Sequence, residues 1–257
     1  MAHKIYALSD LHGHYEILLA MLEKIRFDSS DTLYILGDCN DRGEKAMEIY
    51  QFIRQHPDNI FLLKGNHELM MRDFLACEDW GCPRGRLWKS NGGDKTLEQM
   101  EQFLKKGCLN QKDFLDKRRE FTNWLVRYIN SLPSFVELNV GGRQLVLIHA
   151  GINPDAPLHE QDEEICAWIR DWFYLSPAIK GKTILFGHTP LCYIHGNGCF
   201  DIWFDPIHQD KIGIDGGLGP FVHGQLNCVC LNDMSVTVIK KEEIAQGHSL
   251  PEKEEEI

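Results

Sequence analysis

The period of apolar positions switches repeatedly along the first 75 residues. Residues 4–8 form a short apolar run that ends at Ser9-Asp10. A continuous run of this length, stopped by polar residues, reads as a strand buried on both faces. Residues 15–25 instead carry Ile17, Leu18, Met21, Leu22 and Ile25 at helical spacing. Residues 32–36 read as a second buried strand. Residues 44–55 read as a helix with Ala46, Ile49, Tyr50 and Ile53 on one face. A third strand spans 60–63, and after Gly65-Asn66-His67-Glu68 a helix begins at about Leu69. Strands alternating with helices at this spacing predict βαβ units with parallel strands. In such sheets ligands bind at the loops after the strand C-termini. The polar clusters Asp10-Leu11-His12, residues 37–43 and residues 65–68 all fall on those loops.

Downstream the pattern changes. Residues 76–97, rich in glycine, cysteine and charge, read as an irregular loop or cap, and 97–129 as amphipathic helix. Residues 134–140, 143–149, 183–186, 200–204, 211–215, 226–231 and 235–239 are short strand-like runs separated by Gly, Asn and Pro. They predict a second, more antiparallel sheet packed on the first. The expected organisation is one α/β domain over residues 1–240, with a cap insert at about 76–130, then a charged, frayed tail at 241–257.

The net charge of −11 argues against nucleic acid or an anionic membrane as partner. Acidic surplus suits a phosphate-handling protein only if several carboxylates face bound cations. Nine scattered cysteines, an odd number, read as reduced thiols in a cytoplasmic protein. Cys228 and Cys230 are read as facing opposite sides of a strand. The start shows no apolar signal region, and no apolar stretch approaches the roughly 20 residues that span a bilayer.

Five loops that follow apolar runs hold potential metal ligands: Asp10 and His12; Asp38 with Asp41-Arg42; Asn66-His67; His149; and His188. Nearby glycines allow close backbone approach. Carboxylate, imidazole and carboxamide together suit Mn, Fe or Zn better than Ca or Mg. The donors exceed the need of one ion. Asp10, His12 and one oxygen of Asp38 can serve a first ion, and the other oxygen of Asp38 with Asn66, His149 and His188 a second. Two such divalent ions, about 3.5–4 Å apart, would share Asp38 and a hydroxide. His67 is left to protonate a leaving alkoxide, with Asp41 orienting it. Arg42 is placed to grip a phosphate, and Arg170 either does the same or pairs with Asp171 or the acidic residues 162–164. Glu68 either supports the site or caps the helix that follows.

Asp10-Leu11-His12-Gly13, Gly37-Asp38-Cys39-Asn40-Asp41-Arg42-Gly43 and Gly65-Asn66-His67-Glu68 resemble the three signature motifs of the phosphoprotein phosphatase family, within the calcineurin-like metallophosphoesterases. His149-Ala150-Gly151 and Gly187-His188-Thr189-Pro190 resemble its downstream ligand motifs, and residues 88–97 resemble a segment of bacterial members. The resemblance implies a two-sheet β-sandwich flanked by helices. It implies ligand roles for Asp10, His12, Asp38, Asn66, His149 and His188, a catalytic pair in His67 and Asp41, and phosphate-binding arginines in Arg42 and Arg170. Ser9 and Cys39-Asn40 depart from the family pattern, and Cys39 beside Asp38 raises the prospect of oxidative inhibition.

The implied activity is hydrolysis of phosphomonoesters by a hydroxide bridging two metal ions, Mn by preference. The first reading is a serine/threonine protein phosphatase, acting on a phosphorylated protein or a small phosphate-containing substrate. A second reading is hydrolysis of dinucleoside polyphosphates such as diadenosine tetraphosphate. His149-Ala150-Gly151-Ile152 leans that way, while Glu68 after His67 leans toward protein phosphatases. A non-catalytic metal-binding scaffold is a third reading, disfavoured because no ligand residue is missing.

Overall fold

The computed structural model describes residues 3–245. The early apolar runs form β1 (Ile5–Leu8), β2 (Thr32–Ile35) and β3 (Ile60–Leu62), which pair in parallel. Between and after them come α1 (Tyr15–Ile25), α2 (Ala46–Gln55) and α3 (Asn66–Cys77). The apolar stripes of α1 and α2 bury against Tyr6, Leu8, Leu33 and Ile35, the residues that face one side of the sheet.

The cap is helical: α4 (Pro83–Ser90), α5 (Gly93–Lys105) and α6 (Gln111–Ser131). Residues 76–97 are therefore not an irregular loop. Pro83 opens α4 at a position where its missing N–H costs nothing, and the Cys82 thiol accepts from Gly85 N at 3.2 Å.

The second half forms β4 (Phe135–Val140), β5 (Arg143–Ile148), α7 (Glu163–Trp168), α8 (Asp171–Tyr174), β6 (Thr183–Phe186), α9 (Leu191–His195), β7 (Trp203–Phe204), β8 (Lys211–Gly213), β9 (Gln225–Cys230), β10 (Val236–Lys240) and α10 (Lys241–Ala245), with a 3₁₀ turn at Leu158–Glu160. Two sheets result, ordered β10-β9-β1-β2-β3 and β4-β5-β6-β8-β7. The last two strands thus join the first sheet, antiparallel beside β1, rather than the second. Nor is the second sheet mainly antiparallel, since β5–β6 and β6–β8 pair in parallel. Of residues 200–204 only Trp203 and Phe204 are strand.

Ala7, Leu36, Leu63 and Val229 of the first sheet pack on Leu145, Leu147, Leu185 and Ile212 of the second. Cys166 of α7 and Phe173 of α8 cover the outer face of the second sheet at Val146, Ile148, Ile184 and Phe186. The fold is an α/β sandwich of two mixed sheets flanked by helices, as the motifs implied. Cys228 and Cys230 face the same helical core, because alternate strand residues share a side. All nine cysteines are free. Among the described residues no helix is long and apolar enough to cross a membrane. Of the expected frayed tail, Lys241–Ala245 is helical, and residues 246–257 lie outside the described residues.

Candidate metal centre

Two loops carry the first ligands, and their backbones are laced together. His12 N donates to Asp38 O at 2.8 Å, Gly13 N to Cys39 O at 2.8 Å, and Gly43 N to His12 O at 2.9 Å. Among the described residues ten non-glycine residues have positive φ, and six of them are Asp10, His12, Asp38, Asp41, Arg42 and His188. A left-handed backbone costs an L-residue about 1–2 kcal/mol, so strain is concentrated where function is expected. Two glycines make room for carboxylates. A Cβ on Gly65 would lie 2.2 Å from Asp38 Oδ1, and one on Gly187 would lie 2.3 Å from Asp10 Oδ2.

These loops meet in one cleft. Asp10, His12, Asp38, Arg42, Asn66, His67, Arg170 and His188 line it. His149 lies fully buried and Asp41 sits behind His67, bonded to its ring at 2.5 Å. All ten residues read from the sequence therefore come together. Ligand-type atoms of Asp38, His149 and His188 form one tight group, and those of His12, Asp38 and His67 another. Asp38 belongs to both, as a shared ligand would. His67 is within reach of the second group, but its Nδ1 faces Asp41 Oδ2 and its Nε2 faces Arg42 Nη2 at 3.2 Å.

The ring orientations suit cation binding. His12 Nδ1 lies 2.9 Å from Asn40 O and His149 Nδ1 2.6 Å from Leu36 O. A carbonyl only accepts, so both Nδ1 atoms donate and each Nε2 turns a lone pair inward. Burial holds His12, His67 and His188 well below the usual histidine range, which keeps the rings neutral at pH 7. Burial, then repulsion from Asp10 and Glu68, pushes Asp38 well up. A buried divalent cation would relieve that repulsion, so the donors present fit one.

Arg42 donates to His12 Nε2 at 2.7 Å, beside the cluster. Arg170 donates to His188 O at 3.2 Å and Thr189 Oγ1 at 3.1 Å, which places it in the cleft rather than in a salt bridge with Asp171. Glu68 does both things proposed for it. Its carboxylate accepts from the N–H groups of Asp38, Cys39 and Gly65 at 2.7–2.9 Å, fixing the second loop and capping α3. That helix starts at Asn66, three residues earlier than the apolar pattern indicated.

Three contributors were missed. Trp88 Nε1 donates to both oxygens of Asp41 at 3.0 and 3.1 Å, and Thr96 Oγ1 to Oδ1 at 2.6 Å. Burial still raises Asp41 to about 7. Asp215 is buried in the cleft, where burial and then Asp10 push it well up. It follows strand β8 and precedes Gly216-Gly217, the same strand-then-glycine signal that marked the other loops. Oxidative inhibition at Cys39 loses its footing. The thiol is fully buried, and burial pushes it well above its usual range, away from the reactive thiolate.

The symmetrical bis(5'-nucleosyl)-tetraphosphatase of Neisseria gonorrhoeae is 34% identical over 200 residues, 76% of this chain. This chain spans 59% of that relative's length. The serine/threonine-protein phosphatase 2 of Salmonella typhimurium is 27% identical over 201 residues, covering 74% of this chain and 81% of that one. A crystal structure provisionally designated a diadenosine tetraphosphatase superposes with a TM-score of 0.61 at 15% identity, over 93% of this chain and 94% of that one, a likeness of fold. The model of the calcineurin-like phosphoesterase family matches residues 3–204, and the chain belongs to that family.

Proposed function

We propose that this chain is a metal-dependent hydrolase that splits dinucleoside tetraphosphates into two nucleoside diphosphates. The observation that carries the reading is the 34% identity over 200 residues with a symmetrical bis(5'-nucleosyl)-tetraphosphatase. It reverses the order of the two enzymatic readings taken from the sequence. The likeness to the Salmonella phosphatase, across 81% of its length, supports protein phosphatase activity as the second reading. The scaffold reading is disfavoured by a donor set that is complete in one cleft.

In this proposal Asp10, His12, Asp38, Asn66, His149 and His188 hold two divalent ions, which when bound supply an activated water and positive charge at the phosphoryl group. Arg42 and Arg170 bind the non-bridging phosphate oxygens as charged donors. His67 would take up a proton at Nε2 when the negative charge of bound phosphate offsets the burial that keeps the free ring neutral, and would pass it to the leaving oxygen. Asp41 accepts from Nδ1, which fixes the tautomer and supports the imidazolium. Trp88 and Thr96 keep Asp41 in place.

The test is product analysis on metal-loaded protein with diadenosine tetraphosphate and with a phosphothreonine peptide. Two equivalents of ADP are expected. Release of AMP and ATP, or hydrolysis of the peptide alone, would refute the dinucleotide reading.

A further inference from the structure

The cleft is small for the substrate proposed. Its volume is about 230 Å³, whereas pockets that enclose a drug-sized ligand run to about 300–1,000 Å³. The reacting phosphates would fill much of it, which leaves ribose and base to extend toward its rim.

One feature of that rim suits a base. Tyr193, on α9, lines the same cleft as Arg42 and Arg170 yet is 65% exposed. Its ring stands edge-on to Phe221 at 5.7 Å, and Phe221 packs on Phe200 at 5.2 Å. The three rings brace one another, so Tyr193 offers a held aromatic surface at low entropic cost. Its supports are tied to the site. Leu191 N, at the start of α9, donates to Asp215 O at 3.0 Å, and Gly217 N donates to Asp215 Oδ1 at 2.8 Å. Gly219 lies so close to the cluster that a Cβ there would meet His12 Cδ2 at 2.2 Å and Arg42 Nη1 at 2.9 Å. Phe221, two residues on, is therefore fixed relative to the guanidinium assigned to phosphate.

We propose that Tyr193, braced by Phe221 and Phe200, stacks on one nucleobase of the substrate while the phosphates lie against Arg42 and Arg170. This rests on the dinucleotide reading above. Stacking needs only a π-face, so adenine and guanine should both be accepted.

The experiment is equilibrium binding of ADP and of inorganic pyrophosphate to metal-loaded protein, unmodified and as Tyr193→Ala and Tyr193→Trp. Tyr193→Ala is expected to weaken ADP about tenfold and pyrophosphate less than twofold, within the range known for base–aromatic stacking. Tyr193→Trp should keep ADP binding. Equal weakening of both ligands, or of neither, would overturn the proposal. Cleavage of diadenosine tetraphosphate is measured alongside. No cleavage, with Tyr193 still discriminating ADP, would remove the dinucleotide reading and leave the base platform. Cleavage with ADP binding indifferent to Tyr193 would remove the platform alone.

Discussion

Two buried ionic clusters in this molecule are built on opposite plans. Beside β8, the fully buried Lys211 Nζ meets Asp205 at 2.7 Å, Asp210 at 2.5 Å and Ser176 O at 2.8 Å. Burial alone pushes Asp205 up, but Lys211 and the N–H groups of Ile207 and His208 outweigh it and hold the carboxyl at about 2. At the loop tips Asp10, Asp38 and Asp215 are buried together. There, burial and mutual repulsion push Asp38 and Asp215 well above the usual carboxylate range. One cluster draws its counter-charge from within the chain. The other gathers like charges on strained backbone, an arrangement that folding alone would not select and that a cation would complete.

The comparison can be broken at either end. The largest effect is expected at the loop tips, where His67→Asn should lower kcat of metal-loaded protein by about 10²–10⁴-fold with little change in KM. Steady-state kinetics reads this, and a loss under tenfold would remove His67 from the chemistry. Next, Lys211→Met should cost about 3–5 kcal/mol in urea unfolding, because it strands buried Asp205 beside half-buried Asp210. A cost below about 1 kcal/mol would mean that Lys211 does not supply the counter-charge on which Asp205 and Asp210 depend. Trp88→Phe removes both N–H contacts to Asp41 and should lower kcat by about 10–100-fold with metal stoichiometry intact. A change in KM alone would assign Trp88 to substrate rather than to Asp41.

The smallest effect has the opposite sign. Asp38→Asn should raise the stability of metal-free protein by about 0.5–2 kcal/mol, since it removes a repelled charge while abolishing function. pH separates the clusters further. Asp205 is depressed, so its contribution is present above pH 3.8 and is lost as pH falls through about 2. Asp38 is raised, so it withdraws stability from metal-free protein as pH rises above 3.8. Unfolding curves from pH 2 to 7 should lose the acid limb in Lys211→Met and flatten toward neutrality in Asp38→Asn.

Much of the site was legible because its ligands sit on local strand–loop units. Asp10, His12, Asp38, Asn66 and His67 each follow an apolar run within a few residues, so periodicity and coordination chemistry located them. In the cap, residues 97–129 were legible as amphipathic helix, but 76–97 were not, because their glycines, cysteines and charges hide any apolar period. Pro83 starts a helix, and a Cβ on Gly93 would lie 2.2 Å from the Trp88 ring, so glycine is what lets that indole reach Asp41. The placement of β9 beside β1, with Val229 opposite Ala7, rests on pairing across more than 200 residues, which no local pattern encodes. Asp215 was overlooked for a simpler reason. The strand was read over residues 211–215, whereas β8 ends at Gly213 and leaves Asp215 on the loop that follows.

The most direct test is calorimetric titration of metal-stripped protein with Mn²⁺, alongside Asp38→Asn. Two ions per chain, with both sites weakened by the single substitution, is the predicted result. One ion or none, or binding that Asp38→Asn leaves unchanged, would contradict the account.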